Sequence, residues 1–300
     1  MKMPRPISLS AIFAPLMLAV AICIAPQALH AQYTMGIELS KRNFLSMEPI
    51  AATVTISNRS GADVVVGGRA QQNWMSFSIE DSQGRALTPV NVEIEDSFIF
   101  QAGQTLKKRI LITDTYAMSE VGSYAVKAVA FHAPSQQYYE SNRMVMQVMD
   151  AKPYKEFSFG VPTGYPDAGR IKRFVLIVFH DTNTTTLYAR LVDDRTGTNL
   201  QTFQLGPVLL AHEPNFTVDS ANRLHAFFLA APKIFCHATV NPDGKLDKRR
   251  YFRELDGDRP VLMSSGTSVE VRGGLPFDPN APVAAAGSTL RRASERPPGL

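Results

Sequence analysis

The sequence predicts an all-β chain built as two successive β domains, and three observations predict it. Apolar and polar residues alternate with a period of two through residues 36–150 and again from Ile171 to Arg272, as half-buried strands require. Tight-turn motifs of a single chemical form separate these runs. In the C-terminal half a strand-and-turn pattern recurs with a spacing of 47 residues (187 to 234, and again 197 to 244).

Ahead of the β pattern lies a segment with the form of an export signal. Lys2 and Arg5 precede the apolar run Ala11–Ile24, and the polar-turning stretch PQALHA ends at the small residue Ala31, where cleavage is expected. The run is shorter than the ~20 residues a membrane span needs. A lipid-modified Cys23 fits poorly, because Ile22 stands where such signals carry a small residue. Residues 1–31 are therefore expected to be a signal peptide, leaving a periplasmic or extracellular chain with no transmembrane segment.

Composition narrows the function classes. The pI near 9.0 overstates the basicity of the exported part, since setting Lys2 and Arg5 aside lowers the net charge from +4 to +2. That balance speaks against a nucleic-acid binder, which concentrates cations on one face. Cys236 is the single cysteine after Ala31, so an intramolecular disulfide is impossible, and a lone thiol in an exported protein is expected to be buried.

Residues 32–150 make the first domain. Ile50, Ala52, Val54 and Ile56 share one strand face, Phe77 and Ile79 another, and Leu106, Ile110 and Ile112 a third. A helical turn fits Thr113–Glu120, followed by Gly122-Ser-Tyr124 and a strand from Tyr124 to Phe131. The stretches FLSMEPIAATVTISNRSG and LITDTYAMSEVGSYAVKAVAF resemble a bacterial immunoglobulin-like domain. The resemblance implies a β-sandwich in which Tyr124 forms the tyrosine corner and Val126 takes the place of the second cysteine of antibody domains. Trp74 lies on the alternation opposite to Phe77 and Ile79, so it is not expected to be that family's core tryptophan.

Residues 151–170, with three prolines and three glycines and no periodicity, read as a linker. The second domain spans 171–273. Five turns recur across both halves: Asn58–Gly61, Asp81–Gly84, Asp194–Gly197, Asp219–Asn222 and Asn241–Gly244. Each opens with Asn or Asp, whose side chain caps a type I turn, and closes with Gly or Asn, which tolerates positive φ. The repeat lays Leu187–Gly197 on Ile234–Gly244, and Pro214 and Pro260 open similar units. Pro214–His225 resembles a blade of sialidase-like secreted propellers, which implies about two four-stranded blade-like repeats. A closed propeller takes at least about four blades, so the two are expected to pack on each other as a small sandwich. The aspartate box of sialidases is absent, and no such activity is carried over. Residues 274–300, rich in Pro and Ala, are expected to be disordered.

Candidate chemistry is sparse. Cys236-His237 is not a thiol–base dyad, because neighbouring side chains on a strand point to opposite faces. With a hairpin pivot at Ala231, His225 and His237 face each other with Cβ atoms about 5 Å apart. A metal ion there needs further ligands, for which His212, Glu213 and Asp219 are the sequence candidates. The simpler expectation is a pair of partly exposed histidines flanking Phe227 and Phe235. Lys245–Arg253 gathers cations around two aromatics, which suits either a polyanion contact or a charged edge strand, the latter being the expected role. Asp193-Asp194, Asp256-Gly-Asp258 and Thr182–Thr186 match no calcium-loop spacing, and hydrolase, zincin, P-loop and dinucleotide motifs are missing. No catalytic, cofactor-binding or metal-ligating residue is assigned, and no cofactor is expected. The sequence thus predicts an exported non-enzymatic binding or structural module with a protein or glycan partner and no nucleic acid. The alternatives are a hydrolase of carbohydrate or peptide with its site between the domains, and a subunit of a surface assembly.

Overall fold

A computed structural model of the chain describes residues 32–69, 74–92, 95–265 and 268–279. The expected signal peptide, Thr267 and residues 280–300 of the expected disordered tail lie outside the described residues. The described chain is nearly all β, in several sheets that are antiparallel apart from one short parallel pairing. Among the described residues no helix is long and apolar enough to cross a membrane, which leaves open what strands do.

In the N-terminal half, β1 (Tyr33–Leu39), β3 (Ala51–Asn58) and β7 (Thr105–Leu111) form one sheet in the order β1-β3-β7. Strands β2 (Asn43–Leu45), β5 (Met75–Glu80), β8 (Gly122–His132) and β10 (Met144–Met149) form another in the order β2-β10-β8-β5, with β9 (Gln137–Glu140) paired to the end of β8. The short strands β4 (Val64–Val66) and β6 (Phe98–Phe100) pair separately. The expected faces turn inward: Ile37, Ala52 and Val54 from one sheet meet Phe77, Ile79, Val126, Ala128 and Val148 from the other in one apolar core. Ile112, expected on a strand, instead opens the helical turn α1 (Ile112–Thr115) and is fully buried.

Tyr124 sits in this core and its hydroxyl donates to the Glu120 carbonyl at 2.9 Å. Removing that hydroxyl removes the hydrogen bond that ties the buried Tyr124 ring to the chain before it. Tyr124→Phe is therefore expected to cost about 1 kcal/mol in urea denaturation. Trp74 is buried but lies outside this core, in a satellite cluster with Tyr33, Val64, Val66 and Phe100. Its indole N–H donates to Glu95.

The C-terminal half has a simpler topology. Strands β11 (Lys155–Gly160), β12 (Ile171–Asp181), β13 (Thr184–Asp193) and β14 (Asn199–Pro207) form a sheet in chain order. So do β15 (Asn215–Val218), β16 (Leu224–Ala231), β17 (Ile234–Val240) and β18 (Leu246–Arg253). The repeat noted above superimposes β13 on β17, the third strand of each sheet. Between the sheets, Phe174, Leu176, Ala189 and Leu205 pack against Phe228, Cys236, Ala238 and Val240. A short strand pair, β19 (Val261–Ser264) and β20 (Val269–Arg272), places Leu262, Val269 and Val271 against the outer face of the second sheet, on Phe227, Leu229 and Phe235.

Three details differ from the sequence expectation. Residues 151–170 are not structureless, because β11 pairs along its full length with β12. Leu275–Phe277, read as the start of a disordered tail, forms β21 and pairs with Arg253–Tyr251 of β18. Pro260, read as opening a unit similar to that of Pro214, is followed only by the two-stranded sheet of β19 and β20. The chain still has apolar side chains on these segments (Phe157 and Phe159, for example), and burial decides the matter over local turn composition.

Of the five turns, four close as expected. Gly84, Asn222 and Gly244 donate back to the residue three before them, and Gly61 takes the left-handed region with Asn58 capping Ser60. The fifth is shifted by one residue: Asp193 rather than Asp194 caps it, accepting from the N–H groups of Arg195 and Thr196. The two halves meet where Leu45 enters the outer face of the first C-terminal sheet against Val175, Ile177 and Tyr188. Thr202 reinforces this contact, donating its hydroxyl to Ser46 O and its N–H to Met47 O.

Candidate functional site

The second C-terminal sheet carries a chain of buried polar groups on its outer face. The hairpin between β16 and β17 turns at Pro232-Lys233, with Lys233 at φ 60°, and a bulge lies between Leu229 and Ala231. His225 is therefore opposite Thr239, and Phe227 is opposite His237, two residues away from the register expected with a pivot at Ala231. A shift of two conserves the face. The imidazoles still meet diagonally, with His225 Nδ1 2.9 Å from His237 Nε2 and the rings stacked at 5.1 Å. Both residues are buried, at 5% and 1% exposure, and not partly exposed as expected.

The chain extends at both ends. His225 Nε2 lies 3.1 Å from Asp219 Oδ2, which also accepts from Arg223 Nε at 2.8 Å. Asp219 Oδ1 accepts the backbone N–H groups of Ala221 and Arg223, so the turn cap and the histidine anchor are one side chain. At the other end Arg250 Nη2 lies 3.0 Å from His237 Nδ1. These partners select one tautomer throughout. An ionised Asp219 requires a proton on His225 Nε2, which leaves His225 Nδ1 to accept from His237 Nε2–H. His237 Nδ1 then accepts from Arg250, which can only donate.

The electrostatics agree with that assignment. Burial, followed by the neighbouring His225 ring and the Arg250 guanidinium, pushes His237 down to about 3. Burial also lowers His225, against the pull of Asp219. Asp219 is raised by burial, but the hydrogen bonds from Arg223 and His225 outweigh it and hold the carboxyl below its ordinary range. Both imidazoles are therefore neutral at pH 7 between a carboxylate and a guanidinium.

Arg250 brings the chain to the surface. It is exposed and lines a groove of about 780 Å³ with Arg249, Tyr251, Pro276, Phe277 and Asp278. The groove lies where β21 stops: β21 pairs with Tyr251, Phe252 and Arg253, while β18 itself begins at Leu246. Arg249 and Arg250 lie on the part of β18 that β21 leaves unpaired, as a charged edge would have them, and each also has a fixed partner. Arg249 reaches β14, donating to the carbonyls of Gln204 and Leu205, and Arg250 is held by His237.

The arrangement fixes a cation at its exposed end. Cys236 points the other way, into the core between the sheets, as strand alternation requires, and burial raises its thiol to about 12. Native protein is accordingly expected to leave Cys236 unmodified by a disulfide reagent at pH 8, and denaturant is expected to make it reactive; rapid labelling of Cys236 in native protein would contradict the burial. Asp219, His225 and His237 face one another, and among the described residues no group of three or more His, Cys, Asp or Glu is placed to hold a metal ion. Of the other proposed ligands, His212 stacks on Phe235 and Glu213 accepts from the Tyr154 hydroxyl. The remaining acidic residues have local tasks. Asp194 pairs with Arg173, Asp256 with Lys233, and Asp258 accepts the Gly274 N–H.

Arg250 is the member that sequence reasoning did not join to the histidines, whereas Asp219 stood among their candidate partners. The turn Asn241–Gly244 alone would put Arg249 across from His237, and a bulge between Thr239 and Val240 shifts the pairing by one to bring Arg250 there. A comparison with protein-family models gives no match, and neither does a comparison with curated protein sequences.

Proposed function

We propose that this chain is an exported binding module whose ligand site is the groove beside β18, with Arg250 as the anchor for an anionic group. Its N-terminal half is read as an immunoglobulin-like sandwich and its C-terminal half as two blade-like units closed on each other. The partition β1-β3-β7 against β2-β10-β8-β5 and the Tyr124–Glu120 hydrogen bond support the first reading. Two four-stranded sheets in chain order around one core support the second.

One observation carries the binding role. An exposed guanidinium is held from behind by a buried neutral imidazole, which is aligned by a second buried imidazole anchored on a carboxylate. Such a fork loses less freedom on binding than an untethered surface arginine, and its remaining N–H donors suit carboxylate or sulfate.

Calorimetric titration with a poly-glutamate peptide and with a sulfated oligosaccharide tests the reading. Wild-type protein should bind at least one of them, and Arg250→Gln should weaken that binding by about tenfold or more, the loss of one charge-assisted contact. Equal affinities for wild type and Arg250→Gln would refute the assignment.

A further inference from the structure

We propose that Asn183, at the tip of the β12–β13 hairpin, is a glycosylation site that carries an oligosaccharide on its side-chain amide. The inference rests on the export reading, because Asn-x-Ser/Thr acceptors are modified on chains that leave the cytoplasm. It also gives a role to the threonine run Thr182–Thr186, which matched no calcium loop.

The sequence holds three such triplets, Asn58-Arg-Ser60, Asn183-Thr-Thr185 and Asn215-Phe-Thr217, and the fold separates them. Asn58 is fully buried. Its amide donates to Ala62 O and Phe100 O, and its Oδ1 accepts the Ser60 N–H. A sugar there would break these bonds and leave buried carbonyls unpaired. Asn215 is exposed but lies inside β15, where it pairs with Phe227, and Thr217 pairs with His225 of the buried polar chain. Both ends of that triplet are held in a ladder.

Asn183 is unlike either. β12 ends at Asp181 and β13 begins at Thr184, and these two form the last pair of the ladder. Asn183 therefore belongs to the two-residue turn beyond it, and Thr182, Asn183 and Thr184 are all exposed. The Thr185 hydroxyl, the third part of the acceptor signal, lies in an exposed contact 2.8 Å from His180 Nδ1, which an enzyme can replace. Exposed loop tips of small polar residues are where a folded chain accepts additions at little cost. The base of the turn stays anchored, since Asn43 donates its amide to Asp181 at 2.8 Å.

The sugar donor is a lipid-pyrophosphate-linked oligosaccharide. Asn183 Nδ2 attacks the anomeric carbon of its first sugar and a C–N bond forms. The bond from that carbon to the phosphate oxygen breaks, and the lipid pyrophosphate leaves with the electron pair. Nδ2 gives up one proton to a base of the transferase, and no oxidant or reductant takes part.

The test incubates folded full-length protein with an oligosaccharyltransferase and a lipid-pyrophosphate-linked oligosaccharide, and reads intact mass and glycopeptide position. A peptide of residues 178–188 is the unfolded control. One oligosaccharide per chain is expected, on Asn183. Asn183→Gln and Thr185→Val should abolish the added mass, Thr185→Ser should keep it, and Asn215→Gln should leave it unchanged. Added mass that persists in Asn183→Gln would overturn the assignment. Modification of the peptide without the protein would do so too, by showing the hairpin closed to the enzyme. Failure of both would show that the triplet is no acceptor. N-terminal sequencing of protein from cells that hold transferase and donor separates export from the site. A chain still beginning at Met1 would refute export, and with it modification in the cell, whereas a processed chain with bare Asn183 would refute the site alone.

Discussion

Asp219→Asn should destabilise the fold almost as much as Asp219→Ala, by about 3 kcal/mol in either case. The reason is the direction of the hydrogen bonds. The carboxylate accepts on both oxygens: the backbone N–H groups of Ala221 and Arg223 on one, and Arg223 and His225 on the other. An amide presents N–H groups at one of those positions, so it opposes either the turn or the histidine. If it opposes His225, that ring must move its proton to Nδ1, and His237 must follow. His237 then points an N–H at Arg250, donor against donor. Every link of the chain cannot be satisfied with a single amide at its head. Guanidinium denaturation of the two variants provides the comparison. An Asn variant as stable as wild type would mean that the tautomers are not ordered as described.

Acid should weaken the protein over a defined window. His237 is held down to about 3 in the folded state, against an ordinary value of 6.5. Between those values the unfolded chain binds a proton that the folded chain refuses, so folding stability falls as pH drops below 6.5 and levels off near the folded value. The loss from this one group is on the order of 3 kcal/mol by pH 4. His225, also lowered, adds to it with the same sign. Asp219 contributes only further down, because its folded value lies below that of the free carboxyl and its stabilisation is lost as pH falls through it. Urea midpoints at pH 7 and pH 4 measure the slope, and His237→Gln should flatten it. A wild-type midpoint unchanged between these pH values would show that His237 is not buried neutral.

The β architecture was readable because alternation and turn chemistry are local. Ile50, Ala52 and Val54 turn inward as the period of two demands, and the turn at Asn241–Gly244 is spelled out by its own residues. What local patterns do not contain is coverage. Nothing in Leu275–Phe277 distinguishes a three-residue strand from a coil; the open edge of β18 makes it one. The same applies to β11, whose Phe159 stacks on Phe174 at 4.5 Å only after the sheet has formed. For the site, alternation placed His225 and His237 on one face. Their burial depends on Leu262, Val269 and the loop residue His212 covering the region around Phe235, and their hydrogen-bond ends depend on a turn and an adjacent strand. The bulge at Leu229–Ala231, which sets the diagonal contact, has no clear marker in that alanine-rich stretch.

The contrast in strand order between the two halves has a consequence for how the chain assembles. In the C-terminal half, β11 to β14 and β15 to β18 each pair in chain order, so those loop closures are short and pairing can proceed stepwise behind synthesis. In the N-terminal half β2 waits for β10, with Asn43 paired to Gln147, and β3 waits for β7. Those closures span much longer loops and slow the search. The half that emerges first is therefore the one that finishes late, with β2 unpaired until Met149 has been made. Because Leu45 on that strand also seats against Val175 and Ile177, its arrival joins a slow-closing half to one already able to zip.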